Sequence, residues 1–321
     1  MARTQQIPVP LPAVLGHEGR GTVVETGKNV TGFKAGDRVG FSFTSCGHCD
    51  HCLSGKPYAC RNFNAINFGG VMPDGTKRLS KDGRPISAFF GQSAFAEYAV
   101  VSEKNVVRVP YEDIDLALVG PLGCGIQTGA GTVLNYLKPA FGSKIAVFGC
   151  GTIGMSAIMA AKIAGCETII AVGGNPHSLD LARELGATDV VNRKTCEDIP
   201  ARIKEITAGG ADCSVETSGT ENFLLAGLRC LAFEGKEAVV GVGGEIHLNA
   251  YTDLMQEAKT LAGVIEGDSV PQIFIPKLLS YYRKGLFPFD KLIGFYPFEK
   301  INEAGAMAKK EGVIKPVLRM E

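Results

Sequence analysis

Three glycines within six residues, set between two apolar runs, constrain this chain more than anything else in it. Residues 144–148 are apolar, as in a strand buried on both faces of a parallel sheet. Gly149-Cys150-Gly151-Thr152-Ile153-Gly154 follows, a G-x-G-x-x-G. Ile153, Ile158 and Met159 then recur at helical spacing, with Gly165 as the stop, and 167–172 reads as a second buried strand. In that setting Gly149 makes the turn out of the strand. Gly151 leaves room for a pyrophosphate, and Gly154 lets the helix pack on the strand. The amides that open the helix, at Thr152 and Ile153, offer free N–H groups and the positive end of the helix dipole. The stretch is a dinucleotide-binding unit.

The second strand of such a unit usually ends in a carboxylate that holds the ribose 2′-hydroxyl. Here it runs into Gly173-Gly174-Asn175-Pro176-His177-Ser178, with no acid. The charge that would repel a 2′-phosphate is missing, so NADP is favoured over NAD, with His177, Ser178 and Arg183 as candidate contacts. The alternative is a permissive Gly173 that admits both cofactors. Further strands are expected at 189–192, 212–216, 236–242 and 260–266. Helices fall between them, for example 195–208, where Thr195 and Asp198 resemble a capping box. Alternation of this kind predicts a doubly wound parallel sheet. Gly241-Val242-Gly243-Gly244 closes one strand at the cofactor edge, which makes Val242 a candidate contact for the nicotinamide end. A helix over 270–284 and a tail ending in Lys315-Pro316-Val317-Leu318 complete the chain.

The first third reads differently. Pro8, Pro10 and Pro12 mark an extended approach, and short strands at 22–25, 99–101 and 105–110 among many glycines predict a β-rich, barrel-like domain. Residues 61–95 read as irregular. His17 and Glu18, on a turn between Gly16 and Gly19, are a possible metal-ligand pair. Cys46, Cys49, Cys52 and Cys60 are spaced C-x2-C-x2-C-x7-C, which closes a tetrahedral zinc shell and leaves no open position, so the site is structural. His48 and His51 read as exposed loop residues. Cys124, in Gly123-Cys124-Gly125-Ile126-Gln127-Thr128-Gly129, is a candidate catalytic-metal ligand or a buried structural thiol.

The 321 residues are 45% hydrophobic with no net charge, so nothing points to nucleic acid or an anionic membrane surface. No apolar run spans a bilayer and the N-terminus lacks a signal-peptide pattern, so the expectation is a cytoplasmic enzyme. Ten cysteines with four crowded together suit metal binding in a reducing compartment.

GHEGRG at 16–21, the four-cysteine loop, GCGIQTG at 123–129 and GCGTIG at 149–154 resemble, in order and over essentially the whole chain, the zinc-dependent medium-chain alcohol dehydrogenases. EGDSVPQ at 266–272, FIP at 274–276, FYPFEKIN at 295–302 and IKPVLRM at 314–320 resemble their aryl-alcohol (benzyl alcohol) branch. The resemblance implies a GroES-like catalytic domain over 1–124, a Rossmann domain over 125–266, and a segment over 267–321 that returns to the catalytic domain. It implies that His17 and Cys124, with Glu18 neighbouring or alternating, ligate a catalytic zinc, and that the four-cysteine loop holds the structural zinc. Thr128 would lie near the nicotinamide and Lys315 near the pyrophosphate. The family has a further zinc-ligand cysteine and a proton-relay hydroxyl upstream of GHE, whereas Gly16 is preceded here by 15 residues. The expectations are that Met1 is an internal methionine of a longer gene, that catalytic zinc is weakly held and that turnover is impaired. The predicted function is oxidation of primary, aromatic alcohols to aldehydes with NADP or NAD, in a homodimer or homotetramer. A zinc-independent NADPH reductase of quinone-reductase type and a nucleotide-binding pseudoenzyme are the alternatives. Phe41, Phe43, Phe63 and Phe89 are candidates for an aromatic pocket, or ordinary core.

Overall fold

A computed structural model describes residues 8–72 and 74–320. The expectation about Met1 and the residues beside it, and the turn at Pro73, lie outside the described residues.

The apolar runs form a six-stranded parallel sheet. Its strands are β1 (Lys144–Phe148), β2 (Thr168–Gly173), β3 (Asp189–Asn192), β4 (Ala211–Glu216), β5 (Leu231–Val239) and β6 (Thr260–Gly263). The spatial order β3-β2-β1-β4-β5-β6 reverses direction between β1 and β4, the switch point at which open α/β sheets bind ligands. Ile145, Ala146, Val147 and Phe148 have no exposed surface, as a strand covered on both faces requires. Helix α1 (Gly125–Gly131) precedes β1. Helices α2 (Thr152–Ala164), α3 (Pro176–Leu185), α4 (Ile199–Thr207) and α5 (Glu221–Arg229) connect the strands that follow, and α6 (Pro271–Arg283) leaves the sheet. Gly165 caps α2 in the left-handed region at φ +81°, the stop anticipated for it.

The amino-terminal part carries an antiparallel sheet of Arg20–Thr22, Arg38–Phe41 and Val106–Arg108 beside the cysteine loop. Phe43, Phe63, Phe89 and Phe90 form its separate core. Lys315–Arg319 pairs in parallel with Ile293–Pro297 and sends Lys315 back to the amino-terminal part.

Several local expectations change. Residues 61–95 contain the helix Phe63–Phe68 and the hairpin Leu79–Lys81/Arg84–Ile86, both too short to show a periodicity. Residues 99–101 form no strand: Val100 is 66% exposed, and among the described residues no strand lies alongside it. The strand placed at 22–25 is Arg20–Thr22. Helix α4 begins after Asp198, whose side chain accepts from Ala201 N–H, while the Thr195 hydroxyl is turned to the Asn192 carbonyl. β5 runs from Leu231 to Val239 and β6 stops at Gly263, so Val242 and Glu266 both lie in the loops after them.

Candidate metal and dinucleotide site

The glycine turn is built as its pattern requires. Gly149 has φ +104°, and a Cβ on Gly154 would sit 1.8 Å from the Gly149 carbonyl oxygen, so neither position takes a side chain. A Cβ on Gly151 would meet nothing within 4 Å. No side chain caps the start of α2, so its first-turn N–H groups face that open space. This is a cradle for an anion, and a pyrophosphate fits it.

Helix α1 brings the metal donors to this cradle. A Cβ on Gly129 would lie 2.0 Å from the Ile153 carbonyl oxygen, and one on Gly125 would lie 3.2 Å from Thr152 Cγ2. The backbones of α1 and α2 therefore touch, and Cys124, at the head of α1, is held beside the cradle. One donor atom from each of His17, Glu18 and Cys124 lies within 4.8 Å of the others. The nitrogen, oxygen and sulfur donors of this trio suit zinc. Burial, helped by Lys315 and opposed by Glu18, holds the His17 imidazole below its usual value, so it is neutral and able to ligate. Burial pushes the Cys124 thiol up.

Glu18 is shared. Lys315 Nζ pairs with Glu18 Oε2, and Glu18 Oε1 accepts from Gly125 N–H at 3.4 Å. Burial opposes the charge on Lys315, but the Glu18 carboxylate keeps its amine above the ordinary value. Lys315 is thus at the metal donors.

Two supporting residues were not anticipated. Gln92 is buried, and its Nε2 donates to the His17 carbonyl at 3.0 Å and the Ser42 carbonyl at 2.8 Å. Glu266 is buried, with φ +50°, and accepts from Gln127 Nε2 at 3.1 Å beside Cys124 and Thr128. Burial pushes its carboxyl up to about 7. The only written sign of Gln92 is an amide among glycines and small residues. Glu266 lies in a motif noted only for its resemblance.

The aromatic side is partly as expected. Phe89 meets the His17 ring edge-on at 5.5 Å, and Phe90, not anticipated, packs on it at 4.9 Å. Phe43 and Phe63 are core, and Phe41 borders an open cleft of about 1160 Å³ that passes His17, Glu18 and Lys315. Thr128 is buried one turn into α1. Val242 is half exposed, its carbonyl against Gly219. Ser178 is buried, the His177 ring lies against Gly312, and Arg183 pairs with Asp180 at 3.1 Å.

The second donor set is compact as well. One sulfur from each of Cys46, Cys49, Cys52 and Cys60 lies within 4.8 Å of the others, a four-thiol shell that fits zinc. Backbone N–H groups, that of His48 foremost, draw the Cys46 thiol down to about 6. His48 is exposed and His51 half-buried.

The Alcohol dehydrogenase GroES-like domain family matches residues 1–111, and the Zinc-binding dehydrogenase family matches 152–280. Geraniol dehydrogenase of Castellaniella defragrans is 44% identical over 315 residues, 97% of this chain and 84% of that protein. The chain belongs to the zinc-dependent medium-chain alcohol dehydrogenases. Among solved structures, a zinc-binding domain alcohol dehydrogenase protein of Burkholderia ambifaria superposes on this alcohol dehydrogenase with a TM-score of 0.94 at 47% identity. That match covers 99% of this chain and 87% of the other. The benzyl alcohol dehydrogenase of Acinetobacter calcoaceticus gives 0.92 at 42% identity, with the same two coverages. The protein is an NAD(P)-linked oxidoreductase of this family, acting on alcohols. Among the described residues no single helix is long and apolar enough to cross a membrane.

Proposed function

We propose that this alcohol dehydrogenase interconverts primary alcohols bearing an aromatic or allylic group with their aldehydes, at the site formed by His17, Glu18 and Cys124. The observation that carries the reading is the contact of α1 with α2, which joins the metal donors to the pyrophosphate cradle. In this reading 1–124 and 267–321 form the substrate side and 125–266 the cofactor side. His17 and Cys124 hold a catalytic zinc, with Glu18 as a third donor once Lys315 lets go, and the four-cysteine loop holds a structural zinc. Zinc, when bound, supplies Lewis acidity toward the alcohol oxygen.

The chain's own residues do the rest. Gln92 fixes the backbone of His17, and neutral His17 offers a ring nitrogen. Gly151 and the amides of Thr152 and Ile153 would seat the pyrophosphate, and Lys315, paired with Glu18, would supply a cation to it on release. Thr128 and Val242 flank the nicotinamide end. Phe89 and Phe90 pack on the His17 ring and keep it dry, and Phe41 and Phe95 line the cleft, an apolar surface that suits an unsaturated group. Geraniol and benzyl alcohol, named for the two relatives, both carry an unsaturated group beside a primary alcohol. Ten free cysteines suit a cytoplasmic, reducing location. Edge-to-edge pairing of sheets would give a homodimer or homotetramer.

The test is steady-state kinetics on benzyl alcohol, geraniol and ethanol, with and without a chelator. A kcat/KM higher for the two unsaturated alcohols, abolished by chelation, is expected. Equal rates with ethanol, or activity that survives chelation, refute the reading.

A further inference from the structure

The adenosine end of the cradle lies past β2, whose last residue is Gly173. The carboxylate that would hold a ribose 2′-hydroxyl there is absent. The space of a Cβ at Gly173 is taken by the Cys150 sulfur, 2.7 Å away, a thiol that burial pushes up to about 12 and so keeps neutral.

A cation stands at the same edge. β3 ends at Asn192, and the next residue, Arg193, donates its backbone N–H to the Gly173 carbonyl at 2.8 Å. Its side chain crosses Gly174: a Cβ there would lie 2.8 Å from Arg193 Nε and 3.3 Å from Cζ. The missing side chain at 174 is therefore the seat of the guanidinium, which also faces the Phe223 ring at 5.9 Å. Among the described residues no carboxylate lies within ion-pair distance of Arg193. Arg183, the arginine anticipated from the sequence, is already paired with Asp180 near the far end of α3.

We propose that Arg193 binds the 2′-phosphate of NADP(H) and makes this enzyme select NADP(H) over NAD(H). The inference rests on the dinucleotide reading of the glycine cradle. An arginine beside the end of the second strand is where a 2′-phosphate is accommodated in this fold. A planar guanidinium can give a phosphate two parallel hydrogen bonds, and its charge does not titrate.

Calorimetric titration of the unmodified chain and of Arg193→Ala with NADPH, NADH and 2′-AMP tests this. The unmodified chain should prefer NADPH. Arg193→Ala should weaken NADPH roughly 10–100-fold, remove 2′-AMP binding and leave the NADH Kd within about threefold. Gly174→Leu, which keeps the arginine but displaces it, should shift the same preference in the same direction. Arg193→Ala should keep its melting temperature, since the side chain is exposed. Equal weakening of NADPH and NADH would mean that Arg193 stacks on the adenine, and would overturn the assignment. No change in either would overturn it as well. If the unmodified chain binds neither dinucleotide, the cradle reading itself fails.

Discussion

Glu237, near the end of β5, has no exposed surface, and neither carboxyl oxygen has a hydrogen-bond partner. Oε1 points at α5, 2.2 Å from where a Cβ on Gly227 would sit. Burial first, and then the equally buried Glu216 carboxylate on β4, push its carboxyl up to about 9, against Lys259. Glu237 therefore keeps its proton at neutral pH in the folded chain, while an unfolded glutamate loses it near about 4.3. Through that window the folded state holds a proton that the unfolded state has released. Unfolding free energy then falls as pH rises, by about 1.4 kcal/mol per pH unit, and levels off above the folded value. From pH 6 to pH 8 this amounts to about 3 kcal/mol, a sizeable fraction of a domain's net stability. Glu237→Gln replaces the neutral acid by a neutral amide of the same shape and removes this slope. The assay is urea unfolding of both proteins across that range. The variant should gain on the unmodified chain with every step up in pH and lose its advantage in acid. Parallel curves would refute the reasoning, because they would mean the carboxyl titrates alike in both states.

The four-thiol loop should hold one zinc tightly, and the trio of His17, Glu18 and Cys124 should hold a second weakly; two tightly bound ions per chain by metal analysis would contradict this. Gly154→Ala should abolish dinucleotide binding and lower stability, because its Cβ would overlap the Gly149 carbonyl, and unchanged calorimetric titration would count against the cradle. Gln92→Leu would take the donor from the His17 carbonyl, at about 1–3 kcal/mol, while Asn105 Nδ2 still serves the Ser42 carbonyl, and should lower both melting temperature and kcat. Unaltered kinetics would remove Gln92 from the support of His17. Lys315→Ala should raise the Kd for either dinucleotide and tighten zinc by freeing Glu18, both readable by titration without turnover.

The parts of this site that are local in sequence are legible in the sequence itself. A phosphate turn needs its glycines in register with one strand and one helix, and four thiols that share a metal need short spacing. His17 and Cys124 are far apart in the chain, and they were placed together through resemblance rather than spacing. Gln92, Glu266 and Arg193 escaped because each acts across a fold contact that no pattern records. Arg193 is exposed and sits after an ordinary strand, and its meaning appears only once Gly174 is seen beneath it. The boundaries that moved, at Thr195 and at 99–101, are places where capping and pairing override propensity.

The glycine face of α1 has a wider consequence. Gly125, Gly129 and Gly131 press on Thr152, Ile153 and Gly267 with space for hydrogen atoms and little more. In the proposed reading the spacing between the metal donors and the phosphate cradle, and so between hydride donor and acceptor, is set where Gly125 and Gly129 meet α2. Variation can reshape the walls that greet one alcohol or another, but a single added carbon along this seam would move the donor and the acceptor apart together with everything attached to them.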